Sequence, residues 1–120
     1  MTGRAVQTIL YETASGKCPV EEFLDSLTGQ QARKVAWVLE LIKELPTVPT
    51  NYLKKLVSTD DIWEVRVAAG NNIFRLLGFF DEQKLIVLDH AFQKKTQKTP
   101  KRDIKTAEAR KKDYFRRKTE

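Results

Sequence analysis

The first apolar positions of the chain predict a short strand followed by a short helix. Residues 6–11 combine β-branched and aromatic side chains, which favours a strand, and Gly16 interrupts that pattern. Pro19 suits the first position of a helix, and Glu21 and Glu22 suit the positive end of its dipole. The chain therefore begins with a β-α unit.

A second, longer helix is predicted directly after the first. Thr28 and Gln31 have the spacing of a capping box, in which each side chain bonds the other residue's backbone N–H. Pro46 ends the helical pattern. The apolar positions between them recur at helical spacing and comprise Val35, Val38, Leu39, Ile42 and Leu45.

The middle of the chain changes to the pattern of strands. Residues 62–68, 72–80 and 84–92 are rich in β-branched and aromatic side chains, and turn-like residues separate them. They predict a three-stranded antiparallel meander, which the first strand joins. A last helix is predicted with Thr99 as its cap and Pro100 in its first position.

The order β-α-α-β-β-β-α predicts an α+β fold, with residues 1–120 forming a single domain. If Gly70 and Asn71 form a two-residue turn, Arg66 lies opposite Arg75. If the connection between the strands at 72–80 and 84–92 has two or four residues, His90 lies opposite Arg75. A connection of three residues would not place Arg66, Arg75 and His90 in one row across the sheet.

This register predicts two different faces of the meander. One face carries the row of Arg66, Arg75 and His90, with Glu64 one step along from Arg66. The other face is nearly all apolar, and the long helix is expected to cover it. Its residues are Trp63, Val65, Val67, Phe74, Leu76, Phe80, Leu85 and Val87.

Charge is distributed unevenly along the 120 residues. Residues 93–120 contain 12 Lys and Arg against 4 Asp and Glu, a net charge of +8, whereas residues 1–92 carry −2. A basic segment beside a nearly neutral body favours a polyanionic partner, with nucleic acid first.

Several classes of protein are excluded or made improbable by composition. No apolar run approaches the ~20 residues of a membrane helix, and the first residues lack the apolar core of a signal peptide. One Cys and one His give no disulfide and no zinc site. We therefore expect a cytoplasmic protein without membrane contact, metal or cofactor.

Two arginines on facing strand positions repel each other, so an anion between them would stabilise the sheet. Phosphate matches two guanidinium groups well. The alternative is an ordinary surface salt bridge in which Glu64 or a loop carboxylate pairs with Arg66 and Arg75. His90 is either a structural histidine or a general base, since its unperturbed pKa lies near neutrality.

A basic loop follows His90 and predicts a phosphate clamp; a solvated connection is the alternative. Lys94 completes the candidate catalytic set of Arg66, Arg75 and His90. The candidate RNA-binding residues lie on this loop and before the meander, and are Lys54, Lys55, Gln93, Lys95 and Lys98.

The string from His90 to Pro100, HAFQKKTQKTP, resembles the HigB-like, phage-protein-related branch of the RelE/ParE toxin superfamily. IWEVR at 62–66 and NIFR at 72–75 precede it and carry the same resemblance. It extends from about Leu10 to Tyr114. Two positions are atypical of the branch, namely Gly78, where an aromatic is common, and Asp89, where an aliphatic is common.

This resemblance implies a RelE-like fold, with two N-terminal helices on a twisted antiparallel sheet of about four strands and a C-terminal helix. It implies the toxin of a type II toxin–antitoxin system that cleaves mRNA on the ribosome by metal-independent attack of a 2′-hydroxyl. The implied partners are the ribosome, mRNA and a HigA-like helix-turn-helix antitoxin, through which alone operator DNA is contacted. A ParE-like gyrase-targeting toxin and a non-catalytic RNA- or partner-binding module are the alternatives.

Overall fold

The computed structural model describes residues 6–83 and 85–119 and confirms an α+β architecture. Three helices pack on one five-stranded sheet with the strand order β1-β5-β4-β3-β2. The elements in chain order are β1 Gln7–Leu10, α1 Pro19–Asp25, α2 Gly29–Glu44, β2 Leu53–Lys55, β3 Trp63–Ala69, β4 Asn72–Asp81, β5 Leu85–Gln93 and α3 Lys101–Lys118.

The sheet differs from the expected antiparallel sheet of about four strands in two respects. β2 is an additional strand of three residues, too short to produce a pattern in the sequence, and pairs with β3. β1 pairs in parallel with β5, so the sheet is mixed. The direction of this edge strand depends on the path of the whole chain, which local spacing does not encode.

The helical hairpin forms as predicted. Thr28 Oγ1 accepts a hydrogen bond from the Gln31 N–H at 3.2 Å, and Gln31 Oε1 accepts one from the Thr28 N–H at 3.0 Å. α2 buries Val35, Val38 and Ile42 in the main core, on the sheet face that also carries Val65, Val67, Phe74 and Leu76. Burial of this apolar surface stabilises that side of the sheet.

The other face of the sheet is covered by α3. Ala107 of α3 packs with Ile62 and Leu77, and a neighbouring cluster joins Tyr11, Phe79 and Val87 to the aromatic rings near the end of α3. The sheet is therefore a middle layer, with two helices on one face and one on the other. No helix in the described part of the chain is long and apolar enough to span a bilayer.

The predicted register of β3 and β4 is confirmed, but that of β4 and β5 is wrong. Arg66 does pair with Arg75. However, Asp81 pairs with Leu85, which leaves three residues between the strands instead of two or four. As a result Leu85 and Val87 lie on the α3 face, contrary to the prediction, while Ile86 and Leu88 enter the main core.

A β-bulge at Asp89 then shifts the pairing by one more residue. Gly78 pairs with Leu88 and Leu77 pairs with His90, so Asp89 has no partner across the strand. The bulge returns His90 to the face of Arg75, but Arg75 pairs with Phe92. The predicted row of Arg66, Arg75 and His90 is therefore wrong, because His90 pairs with Leu77, two residues along β4 from Arg75.

Gly78 lies against this bulge and has no room for a side chain. A Cβ atom built there would lie 2.2 Å from the Val87 carbonyl oxygen and 3.0 Å from the Leu88 Cα. Both are backbone atoms, so the strands would have to separate. The glycine that is atypical of the branch is thus required by the close approach of β5.

We expect Gly78→Ala to destabilise the protein by about 2 kcal/mol or more, because the methyl group overpacks the centre of the sheet. Urea unfolding followed by circular dichroism would measure this. Gly29→Ala is the matched control, since its added Cβ meets only the flexible end of Arg33, at 3.3 Å. Equal stability of the two variants would contradict the close packing of β4 and β5.

Candidate functional site

Four cationic side chains gather around one buried carboxylate at the end of the sheet. Arg66 and Arg75 face each other on β3 and β4, and Lys54 of β2 pairs with Glu64. Lys94 follows β5, and its N–H donates to the Ile73 carbonyl at 2.7 Å. We call Lys54, Glu64, Arg66, Arg75 and Lys94 the cationic cluster; with all five groups ionised its net charge is +3.

Glu64 organises this cluster. It is fully buried, and its Oε1 accepts a hydrogen bond from Arg66 Nε at 3.0 Å and lies 3.4 Å from Arg75 Nε. Its second carboxylate oxygen accepts a hydrogen bond from the Thr99 hydroxyl. The alternative in which Glu64 pairs with both arginines is therefore confirmed, but the ion pair is buried rather than on the surface.

Thr99 has a different role from the one predicted. α3 begins at Lys101, Pro100 occupies the cap position, and no side chain caps the helix. The Thr99 hydroxyl is instead directed to Glu64. The prediction of Thr99 as cap was wrong because a buried carboxylate from β3, distant in sequence, takes its hydrogen bond.

The Arg75 guanidinium is buried and makes a hydrogen bond and an ion pair. The residue is 8% exposed, its Nη1 donates to the Phe74 carbonyl at 3.3 Å, and its Nε makes an ion pair but no hydrogen bond. Burial lowers the pKa of Arg75, and the Glu64 carboxylate opposes that shift. An arginine remains charged in proteins, so Arg75 is a fixed and partly desolvated positive group.

The surroundings of Lys94 favour loss of its proton. Burial lowers its pKa first, and the nearby charges of Arg75, Arg66 and Lys54 add to the effect, while Glu64 opposes it. A lysine in such surroundings loses its proton more readily than an exposed one. Lys94 therefore suits proton transfer as well as anion binding.

His90 lies beneath α3 and both of its ring nitrogens are engaged. Its Nε2 is 2.6 Å from Asp103 Oδ1, and its Nδ1 is 3.3 Å from Arg110 Nη1. Its ring also packs near that of Phe92, with 5.6 Å between the centroids. The structure thus ties His90 to α3.

The remaining candidates differ in their surroundings. Lys95 lines a groove together with Arg75 and Lys94. Gln93 donates to Asn72 Oδ1 at 3.0 Å, and Lys98 is exposed. Lys55 forms an exposed ion pair with Asp61 at 2.8 Å and lines a separate groove beside Trp63, Phe80 and Lys111.

Sequence reasoning named Glu64 only as an alternative salt-bridge partner of the arginines, and it gave Thr99 no part in the site. The alternation of Glu64 and Arg66 on one strand does place them on one face, and this was the available signal. Nothing in the local pattern indicated that the Thr99 hydroxyl donates a hydrogen bond to Glu64. Within residues 6–83 and 85–119 no three His, Cys, Asp or Glu side chains are grouped to hold a metal.

Comparison with protein families connects this geometry to known proteins. The model of the phage-derived protein Gp49-like family matches residues 22–112, which include the cationic cluster and His90. The chain belongs to the Gp49-like family. This family belongs to the RelE/HigB-type toxin group, is associated with toxin–antitoxin systems, and so implies an antitoxin partner. No curated protein matches the chain.

Proposed function

We propose that this Gp49-like protein is a HigB-like toxin of a type II toxin–antitoxin system and cleaves mRNA on the ribosome. The cationic cluster carries the proposal, because four positive side chains converge where only one carboxylate lies. The net charge of the cluster, +3 with Lys94 protonated and +2 with Lys94 neutral, suits a phosphodiester. Membership of a family in the RelE/HigB-type toxin group supports the same conclusion.

Arg66 and Arg75 bind the scissile phosphate in this proposal. Attack by the 2′-oxygen adds negative charge to the phosphoryl oxygens in the transition state. The contacts of Glu64 orient both guanidinium groups in advance, so little reorganisation accompanies the reaction. A preorganised donor of this kind contributes on the order of 3 kcal/mol.

Lys94 transfers the proton. The bond from the 2′-oxygen to phosphorus forms as the bond from phosphorus to the 5′-oxygen breaks. Neutral Lys94 accepts the 2′-hydroxyl proton, and the resulting ammonium returns a proton to the leaving 5′-oxygen. The products are a 2′,3′-cyclic phosphate and a 5′-hydroxyl. The lowered pKa of Lys94 supports this role because it increases the neutral fraction.

His90 is the candidate base from the sequence, but we assign it a positioning role. It bonds Asp103 in the first turn of α3, close in sequence to Thr99. His90 thereby holds the start of α3, and with it the preceding Thr99, whose hydroxyl contacts Glu64. The remaining cations, Lys54 and Lys95 among them, bind neighbouring phosphates.

The ribosome and the antitoxin complete the proposal. A cluster with so few groups leaves substrate orientation to the ribosome, which presents one strand of mRNA. The antitoxin is a HigA-like helix-turn-helix protein that neutralises the toxin and binds operator DNA. The toxin itself contacts no membrane and needs no cofactor.

Mapping RNA 5′ ends after induction in growing cells tests the proposed activity. We expect new 5′-hydroxyl ends within translated regions, which disappear when translation initiation is blocked. Supercoiling defects without such ends would support a gyrase-targeting toxin instead. Growth arrest with neither change would indicate a non-catalytic binding module.

We expect His90→Ala and Asp103→Ala each to slow cleavage about tenfold, and the double variant to be no slower, because the two residues form one contact. Single-turnover cleavage rates as a function of pH would measure this. A positioning role leaves the pH profile unchanged. If only His90→Ala abolishes cleavage, or the profile loses an ionisation, His90 is the general base.

A further inference from the structure

Two grooves meet at Arg75, and they differ in chemistry. The first, the loop groove, has a volume of about 460 Å³ and is lined by Ile73, Arg75 and residues 94–97. The second, the aromatic groove, has a volume of about 350 Å³. It is lined by Lys34, Val38, Asn51, Tyr52, Arg66, Val67, Ala68, Ile73 and Arg75. Ile73 and Arg75 line both grooves and so form the ridge between them.

The aromatic groove arises because β2 begins only at Leu53. The Tyr52 carbonyl accepts a hydrogen bond from the Arg66 N–H at 2.8 Å, which fixes Tyr52 beside the cationic cluster. Beyond this point the outer edge of β3 has no neighbouring strand, and α2 forms the opposite wall through Lys34 and Val38.

Aromatic and basic side chains continue from this groove onto α2. The Tyr52 ring packs edge-to-face on Trp37, with 5.9 Å between the centroids, and Trp37 is 48% exposed. Lys34 Nζ lies 4.6 Å from the Trp37 ring centroid. Tyr52 is partly buried against the main core, so its ring is held in place beside the exposed Trp37. Aromatic rings interleaved with cations are the arrangement on which single-stranded nucleic acids stack.

We propose that the aromatic groove binds the nucleobase next to the scissile phosphate of single-stranded RNA, with Tyr52 as the stacking residue. This inference rests on the proposed nuclease function and adds its substrate subsite. A base stacked in a duplex is not free to enter the groove, which makes a single strand the substrate class. The strand crosses the ridge at Arg75, and the next nucleotide lies in the loop groove.

The side chains that line the two grooves support this assignment. The aromatic groove has apolar walls with a few polar groups, Asn51 and Lys34, suited to the edge of a base. The loop groove offers ammonium, hydroxyl and amide groups from Lys94, Lys95, Thr96 and Gln97, suited to phosphate and ribose. Arg75 lies between the two grooves, with Arg66 opposite it on β3, and the scissile phosphate is expected there.

Fluorescence anisotropy with a short 2′-O-methyl RNA, which has no free 2′-hydroxyl for attack, tests this subsite. We expect Tyr52→Ala to weaken binding about tenfold without changing the salt dependence, because stacking involves no phosphate. Tyr52→Phe keeps the ring and should bind normally. Lys95→Ala should instead reduce the slope of log affinity against log salt by about one.

Val57→Ala is the matched control, since Val57 is a large apolar residue that is 85% exposed and lines neither groove. Thermal unfolding of each variant identifies any that fails to fold, and Asn51→Ala then provides a second test of the groove. If folded Tyr52→Ala binds RNA as well as the wild type does, the inference is overturned. The same holds if this variant loses binding to the antitoxin but keeps its binding to RNA.

Cleavage assays on the same variants separate the two proposals. If Arg75→Ala abolishes cleavage while Tyr52→Ala cleaves the same sites at the same rates, the nuclease function stands and the subsite fails. If Arg75→Ala and Lys94→Ala both cleave normally, the assignment of the active site to the cationic cluster fails. If the wild-type protein cleaves no RNA, the proposed function itself fails. A changed pattern of cleavage sites in Tyr52→Ala supports the subsite directly.

Discussion

Arg75→Ala should lower the rate of RNA cleavage by the folded protein by about two to three orders of magnitude. Loss of one preorganised donor to a charged transition state typically has an effect of this size. Arg75 also lines both grooves, so its removal affects the phosphate at the point where the strand crosses the ridge. Single-turnover kinetics with purified protein, ribosomes and a defined mRNA would measure the loss.

A conservative variant and a control variant accompany the Arg75→Ala measurement. Arg75→Lys keeps the charge but not the planar pair of donors, so we expect an intermediate rate. Arg116→Ala removes an exposed arginine near the end of α3, paired with Asp113 at 2.5 Å, and should cleave normally. Wild-type cleavage by folded Arg75→Ala would contradict the assignment of the phosphate site to the cationic cluster.

The parts of the fold that short-range rules determine were predictable. The capping box set the start of α2, and the two-residue turn at Gly70 and Asn71 set the pairing of Arg66 with Arg75. The pairing of β4 with β5 was not predictable in this way. It depends on a three-residue connection and on a bulge at Asp89, whose position is decided by packing on both faces of the sheet.

The candidate site was predictable to the same extent. Arg66, Arg75 and Lys94 lie in the cluster that the turn and the basic loop indicated. Glu64 and Thr99 meet across 35 positions of sequence, and that contact depends on where α3 begins. The position of His90 depended on the register of β5. The three-residue connection and the bulge together place it opposite Leu77, beside the start of α3, instead of opposite Arg75.

Asp89 and Gly78, the two positions atypical of the branch, belong to the same structural feature. Asp89 is the extra residue of the bulge, and Gly78 gives β5 the room to approach at that point. The Asp89 side chain is fully buried, and neither carboxylate oxygen has a hydrogen-bond partner among residues 6–83 and 85–119. Arg110 donates to the Asp89 carbonyl at 2.8 Å rather than to its carboxylate. A buried acid without hydrogen bonds is costly to ionise.

Burial accordingly raises the pKa of Asp89 to about 8, although the charges of Arg110 and Lys111 on α3 oppose the shift. In the unfolded chain the pKa of an aspartate is about 3.9. Between these two values the folded protein binds one more proton than the unfolded one. Stability contributed by this group is therefore greatest at acidic pH, falls as the pH rises from about 4 to 8, and is constant above that range.

Asp89→Asn should remove the loss of stability that accompanies the rise in pH, because an amide of the same shape does not ionise. We expect the variant to be more stable than the wild type by on the order of 5 kcal/mol at pH 7.5, and equally stable near pH 4. Urea unfolding across that range would measure both, with the exposed Glu82→Gln as control. If wild type and Asp89→Asn lose stability in parallel as the pH rises, Asp89 is not the group responsible. A stabilised variant with normal cleavage would show that this acid opposes folding without serving the proposed reaction.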